Sequence, residues 1–203
     1  MNRDLSRLDP RAKRTRALLR DTLLDLVVER GAYNNITIKD LTERAEVSRT
    51  TFYLHFKTVD DLLFETMSEI YQQIAEEMML ENAPLESVNG YEYDHVAAYA
   101  DFYRVMLGPN GSASFVLRVR QFLAEANRQW LKDLLPAGET AQIPLELIGY
   151  HLAGAEIGVI QWWLEHDMPY TPSQMTHMMK HLCFRGLEWA LHLPPQFTLS
   201  ETD

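Results

Sequence analysis

The chain has 203 residues, 46% of them hydrophobic, a formal net charge of −10 at pH 7 and one cysteine, Cys183. That length and apolar content suffice for a packed core in one large or two small domains, and a lone cysteine excludes an internal disulfide framework and a Cys-rich zinc site. No run approaches the roughly 18 apolar residues of a membrane span, and no apolar stretch follows the basic start, so neither a span nor a signal peptide is expected and a cytoplasmic protein is.

The net charge conceals an asymmetry. Residues 1–57 carry 12 Lys+Arg against 8 Asp+Glu, a balance of +4, and the remainder carries 7 against 21, a balance of −14. Arg3, Arg7, Arg11, Lys13, Arg14, Arg16 and Arg20 crowd the first 20 positions, the footprint of an arm and helix start that touch a polyphosphate, or of a solubilising tail.

In chain order, Asp9-Pro10 is an N-cap followed by proline at the first helical position. Leu19, Leu23, Leu26 and Val27 then recur at helical spacing until Gly31. Thr37, with Asp40 three residues on, opens a short second helix that buries Leu41 and Ala45. Ser48 caps a third short helix with Thr51, Phe52 and Tyr53. Thr58, with Asp60 and Asp61, opens a fourth through Leu62, Leu63, Met67, Ile70, Ile74 and Met78 to about Asn82. Two short helices joined by a tight turn and braced by a longer one make a helix-turn-helix unit, whose second short helix is the reader.

The segment GAYNNITIKDLTERAEVSRTTFYLHFKTVDDLL resembles the DNA-binding region of the TetR family of bacterial transcriptional regulators. Gly31, Thr37, Leu41, Ala45, Val47-Ser48, Phe52-Tyr53, His55-Phe56 and Leu62 agree in spacing. The resemblance implies an all-α fold: an N-terminal three-helix helix-turn-helix domain with its basic arm over residues 1–57, and a helical effector-binding and dimerisation domain over 58–203. The expected partner is a double-stranded DNA operator. Arg49, Thr50 and Thr51 are placed to reach base edges, while Thr37, Tyr53, His55, Lys57 and Arg14 are placed at phosphates. Phe52 and Phe56 are expected to pack and Ser48 to cap. Two positions depart from the family pattern. Glu46 stands where the turn usually has glycine, so the turn must accept a side chain or change shape. Val59 stands where a phosphate-contacting lysine is usual, with Lys57 two residues earlier.

An acidic body cannot itself be the DNA surface, and its helices suggest a second task. YEYDHVAAYADFYRVML places Tyr99, Phe102, Tyr103 and Met106 at helical spacing before the break GPNG. A helix from about Ser112 to Leu135 then carries Phe122 and Trp130. The corresponding region of TetR-like proteins forms an effector cavity, which makes these six residues candidate contacts for an apolar small-molecule effector, with His95, Arg104 and Arg118 as polar selectors. Helical spacing alone equally describes plain core. The last two helices carry Gly149, Ala153, Gly154 and Gly158, then Trp162-Trp163. After the Thr171-Pro172 cap come Met175, Met178, Met179, Leu182, Leu187 and Leu191. The resemblance implies a homodimer through these two helices, because a two-half-site operator mirrors protein symmetry.

No cofactor, metal or catalytic motif is expected. His177 and His181 lie one helical turn apart without an evident third ligand. Glu92 and His95 form a single Glu-x-x-His, where a di-iron bundle needs two with further glutamates. The leading expectation is a dimeric, ligand-released repressor. The alternative is an adaptor or coactivator on the same fold with degenerate DNA binding, since the C-terminal segment also resembles a TetR subgroup that includes a coactivator of dihydroxyacetone metabolism.

Overall fold

The computed structural model describes residues 9–68 and 91–193. Among them every regular element is a helix: α1 (Pro10–Arg30), α2 (Ile38–Arg44), α3 (Arg49–His55), α4 (from residue 59, described to residue 68), α5 (Tyr91–Ala98), α6 (Ala100–Leu107), α7 (Ala113–Leu134), α8 (Leu145–Glu165) and α9 (Pro172–Leu191). The expected fold class holds. The extension of the fourth helix through Ile70, Ile74 and Met78, and the basic residues Arg3 and Arg7, lie outside the described residues.

Local chemistry starts each helix where the sequence places it. The Asp9 carboxylate accepts from the Arg11 N–H at 3.0 Å with Pro10 at the first helical position, and α1 closes on Gly31 at φ 58°. Thr37 and Asp40 form a reciprocal capping box at α2, and Thr171 and Gln174 form another at α9. Ser48 accepts from the Thr51 N–H at 3.0 Å. Thr58 and Asp61 exchange bonds at 3.0 and 3.1 Å ahead of α4, so each of these caps satisfies donors that the first helical turn leaves without an internal partner.

One buried cluster runs through most of the molecule. It takes Leu19, Leu23 and Val27 from α1, Leu41 from α2, Phe52 and Phe56 around α3 and Leu62, Leu63 and Met67 from α4, and it continues to Met106, Phe115 and Trp163. The core therefore crosses the expected boundary at residues 57 and 58 without interruption. A second cluster joins the far end of α7 to α8 and α9 through Leu131, Ile148, Leu187 and Leu191.

Two features depart from the sequence pattern. The segment before GPNG is two helices rather than one: Tyr99 takes φ −119°, ψ 32° between α5 and α6. No Pro or Gly marks this break. It lets α5 lie along α9 while α6 packs on α1 and α8. The small residues of α8 also divide between two faces. A Cβ on Gly149 would stand 2.5 Å from the Ala124 carbonyl oxygen of α7, and Ala153 is fully buried, whereas a Cβ on Gly154 or Gly158 would meet nothing within 4 Å among the described residues.

Candidate nucleic-acid interface and cavity

The turn between α2 and α3 decides whether the reader keeps its geometry. The Val47 N–H donates to the Thr42 carbonyl at 3.0 Å, and Glu46 sits between them at φ 54°. This is the left-handed region that glycine enters freely and a residue with a Cβ enters at a cost of about 1–2 kcal/mol. Glutamate thus occupies the left-handed conformation that a glycine would adopt more readily. Glu46→Gly should relieve that strain. Part of the gain is lost to glycine's greater freedom when unfolded, leaving a rise in Tm of about 1–4 °C in a thermal melt; a fall would mean that the glutamate side chain makes a contact worth more than the strain.

Helix α3 then separates its residues by face. Phe52 and Phe56 are buried, while Arg49, Thr50 and Tyr53 are exposed. Leu54, unremarked in the sequence, is the most open of the large apolar groups here, 72% exposed. An apolar side chain on a reading helix suits a thymine methyl group. Thr51 is half-buried, and its hydroxyl lies 2.8 Å from that of Ser48. Lys57 and Arg14 are exposed at the flanks.

Three basic or polar residues turn out to be engaged within the fold. The Arg16 guanidinium lies 4.7 Å from the centre of the Phe56 ring and pairs with Glu65 of α4, so it braces α1 against the reader instead of joining the exposed basic run. His55 is half-buried beside Phe56, and burial, with Arg16 adding to it, lowers its pKa. Its imidazole is therefore neutral at pH 7 and offers a hydrogen bond rather than a charge. Thr37 donates its hydroxyl proton to the Asp40 carboxylate and accepts from the Asp40 N–H at 3.2 Å. Arg30 reaches Asp40 at 2.8 Å, and this pairing first, then Thr37, holds the Asp40 carboxyl well below the usual carboxylate range. A phosphate that took the Thr37 proton would have to break this box. Val59, in place of the customary lysine, packs against the core.

The acidic body holds a cleft between α5, α6, α7 and α8. Tyr103, Leu107, Phe115, Val119, Leu123, Ile157 and Ile160 form apolar walls, and Glu92, His95, Val96 and Glu156 complete the lining. About 420 Å³ between them is free of atoms, the mouth included. Of the six residues marked by helical spacing, Tyr103 lines this cleft. Phe102 and Met106 are buried in the core, Tyr99 is exposed with its ring 4.8 Å from that of His95, Phe122 is exposed, and Trp130 packs on the second cluster. The spacing identified the apolar stripe of each helix, but α6 is covered on more than one side, so being on a stripe does not choose the cavity. Among the selectors, His95 lines the cleft. Arg104 bonds the Leu164 carbonyl at 3.2 Å and Asp101 at 3.0 Å, and the Arg118 guanidinium lies 3.7 Å from the centre of the Phe64 ring.

Glu156 was not foreseen as a lining residue, although it is the lone acid in the apolar run from Leu152 to Leu164. Burial, with Glu92 adding to it, pushes its carboxyl up to about 8. Burial also pushes Glu92 up to about 7, against its own backbone hydrogen bond and the charge of Lys180, with Asp94 adding.

The cleft is tied to the reader's scaffold. The Asn110 carbonyl, in the turn between α6 and α7, accepts from the Tyr33 N–H at 3.1 Å, and the Asn110 side-chain amide donates to the Gly31 carbonyl at 3.3 Å. The Tyr33 hydroxyl in turn bonds Asp60 at the start of α4.

Elsewhere, α8 and α9 present apolar groups to solvent: Leu147, Tyr150 and Trp162 on α8, Leu182 (72% exposed) and Trp189 (62%) on α9. Gly154, Gly158 and Gly186 lie open among them. No helix among the described residues is long and apolar enough to cross a membrane. Among the described residues no group of three or more His, Cys, Asp or Glu is arranged to hold a metal; the His177 and His181 rings, 4.3 Å apart, have no third such group beside them.

Two family descriptions match the chain: "Bacterial regulatory proteins, tetR family" over residues 20–66, and "Transcriptional regulator C-terminal region" over residues 92–185. A curated relative, the uncharacterized HTH-type transcriptional regulator YxbF of Bacillus subtilis (strain 168), is 32% identical over 79 residues. Those residues are 39% of this chain and 21% of the relative, so the match spans about a fifth of the relative's length. A TetR transcriptional regulator from Streptococcus agalactiae 2603V superposes with a TM-score of 0.63 at 21% identity, covering 83% of this chain and 92% of its own. The dihydroxyacetone kinase operon activator DhaS does so with a TM-score of 0.57 at 13% identity, covering 87% and 98%. At those identities the solved structures speak for the fold alone. The families and relatives are regulators of transcription rather than enzymes. With the helix-turn-helix segment and the C-terminal helical region both matched, this chain belongs to the TetR family of bacterial transcriptional regulators.

Proposed function

We propose that the protein is a ligand-responsive repressor that binds a palindromic operator as a homodimer and is released by a small-molecule effector. Residues 1–57 serve as the reading domain and residues 58–203 as the effector and dimerisation domain. Arg49, Thr50 and Leu54 on the exposed face of α3 meet base edges, and Tyr53, Lys57 and Arg14 meet phosphates. Thr51 and His55 are half-buried and contribute through their remaining exposed atoms.

The observation that carries ligand response is the bonding of Asn110 to Gly31 and Tyr33. The helices that wall the cleft end on the turn that closes α1, so an occupant that spreads α6 from α7 acts on the reader's scaffold through two hydrogen bonds. An effector can release DNA only by as much as it prefers the spread state, and operator and effector then weaken each other's affinity by the same factor. The dimer reading rests on the open apolar face of α8 and α9. Several large apolar groups are exposed there beside three glycines whose added Cβ would meet nothing within 4 Å among the described residues, an arrangement suited to the close, self-complementary approach of a second copy. A closed turn at Glu46, with the residue in the left-handed region and Val47 bonded to Thr42, supports DNA reading over the adaptor alternative.

Selection of bound duplexes from a random pool tests the whole reading. The expected product is a palindrome with half-sites about one helical turn of DNA apart. Arg49→Ala should relax preference at one position per half-site by about 1–3 kcal/mol while leaving binding to random DNA nearly unchanged. Equal losses on selected and random DNA would remove Arg49 from the base-reading set, and recovery of no sequence at all would favour the adaptor.

A further inference from the structure

The cleft places two carboxylic acids where an apolar effector alone would want none. Glu92 on α5 and Glu156 on α8 line the same space as Tyr103, Phe115, Val119 and Ile157. Neither carboxylate has a hydrogen-bonded or ion-paired side-chain partner among the described residues. Lys180 and Asp94 act on Glu92 through space, and Glu92 and Cys183 are the groups coupled to Glu156. Burying an acid without a partner costs stability, and burying two that repel each other costs more. A bound cation would turn that cost into binding energy, because ammonium–carboxylate hydrogen bonds strengthen where water is excluded. The apolar walls set the rest of the ligand. Aromatic and branched side chains fill three sides, and the unfilled space narrows to room for about two water molecules. An occupant therefore presents a slim hydrocarbon or aryl body and spreads the helices as it enters.

We propose that this cleft takes a lipophilic amine, its apolar body between α6, α7 and α8 and its ammonium group held by Glu92 and Glu156. This deepens the effector reading above and rests on it for the release of DNA, though not for the binding itself. Because burial keeps Glu156 largely protonated and Glu92 partly so near neutral pH, an arriving ammonium ion draws the pair further into the ionised form, and protons leave for the buffer. His95 and Tyr103, also on the lining, Tyr93 and Asp94 on α5, and Lys180 and Cys183 on α9 are the other titratable groups around the pair among the described residues.

The test uses the full chain and a panel of one- and two-ring aryl-alkyl amines, each with its alcohol and carboxylate counterpart, followed by calorimetry in two buffers of different ionisation enthalpy. Amines should bind about tenfold or more tightly than the matching alcohols, carboxylates more weakly still, and the heat of amine binding should depend on the buffer. Glu156→Gln, which keeps shape and removes one acid, should cut the preference for amine over alcohol and the buffer dependence severalfold, and Glu92→Gln added to it should erase both, while alcohol binding is retained. Equal binding of amine and alcohol, a preference for carboxylates, an unchanged preference in Glu156→Gln, or no amine binding at all would each overturn the proposal. Selective amine binding that leaves operator affinity unchanged would uphold it and defeat the effector reading instead.

Discussion

Alanine at Gly149 is expected to destabilise the fold, and a substitution five or nine residues further along the same helix, at Gly154 or Gly158, is expected to leave the fold intact. At Gly149 the added Cβ meets the Ala124 carbonyl at 2.5 Å and the Arg128 backbone nitrogen at 3.4 Å. Backbone cannot rotate away as a side-chain tip can, so α7 and α8 must separate along a stretch that also seats Ala153 and Ile148. Overpacking of this kind costs about 1–3 kcal/mol, against the roughly 1 kcal/mol by which alanine outperforms glycine inside a helix. A thermal melt should therefore fall by several degrees at about 2–4 °C per kcal/mol. At Gly158 the same Cβ meets nothing within 4 Å among the described residues, so Gly158→Arg should preserve helix content but place a charge in the face assigned to the second copy. Sedimentation should then find monomers at micromolar concentration, with operator affinity lower by far more than tenfold, since a monomer engages one half-site. Dimers persisting in Gly158→Arg would move the interface elsewhere, and an unchanged melt for Gly149→Ala would mean that the α7–α8 contact is more pliant than its geometry implies.

Stability should also fall as pH rises from about 5 to 8, and Glu156→Gln should abolish much of that fall. Both cleft acids titrate higher in the folded chain, about 8 for Glu156 and about 7 for Glu92 against an ordinary 4.5. Below pH 4.5 each acid is protonated whether folded or not. As pH rises, the unfolded chain ionises first and is favoured, and the penalty levels off only above the folded values. The loss attributable to Glu156 is on the order of 2–4 kcal/mol, the scale of a shift of a few pKa units. Two groups in the reader oppose or avoid this trend. His55, whose pKa is lowered in the fold, gains stability as pH rises through the usual histidine range. Asp40, depressed, loses its contribution only at lower pH. The informative quantity is therefore the difference between the wild-type and Glu156→Gln profiles between pH 5 and 8. Parallel profiles would place the Glu156 carboxyl in water rather than in the cleft.

Much of the molecule was legible from local chemistry. Asp9-Pro10, Thr37 with Asp40, Ser48, Thr58 with Asp61 and Thr171-Pro172 are short-range signals, complete within four residues, and each starts its helix where it stands. On α3 helical period accounts for a buried Phe52 with Thr50 and Leu54 exposed on the far side, whereas Arg49, three residues before Phe52 and near its side of the helix, is exposed at the first turn. Less legible was the fate of individual polar side chains. Arg16 belongs by sequence to a basic run, but its neighbours in space are Phe56 and Glu65, 40 and 49 positions away. Thr37 caps its helix so completely that its proton is already given to Asp40.

What the sequence determined by itself is the all-helical class, the position of the reader and the presence of apolar stripes on the later helices, because caps and periodicity are properties of one turn or one helix. Tertiary packing alone decided which stripe residues line a cavity and which fill the core, that Glu156 and Glu92 share one space, and that Gly149 faces α7 while Gly158 faces outward. Each of these depends on how two or more helices are set against one another. Helix period fixes only the angle of a side chain about its own axis, and what stands at that angle is supplied by residues distant in the chain.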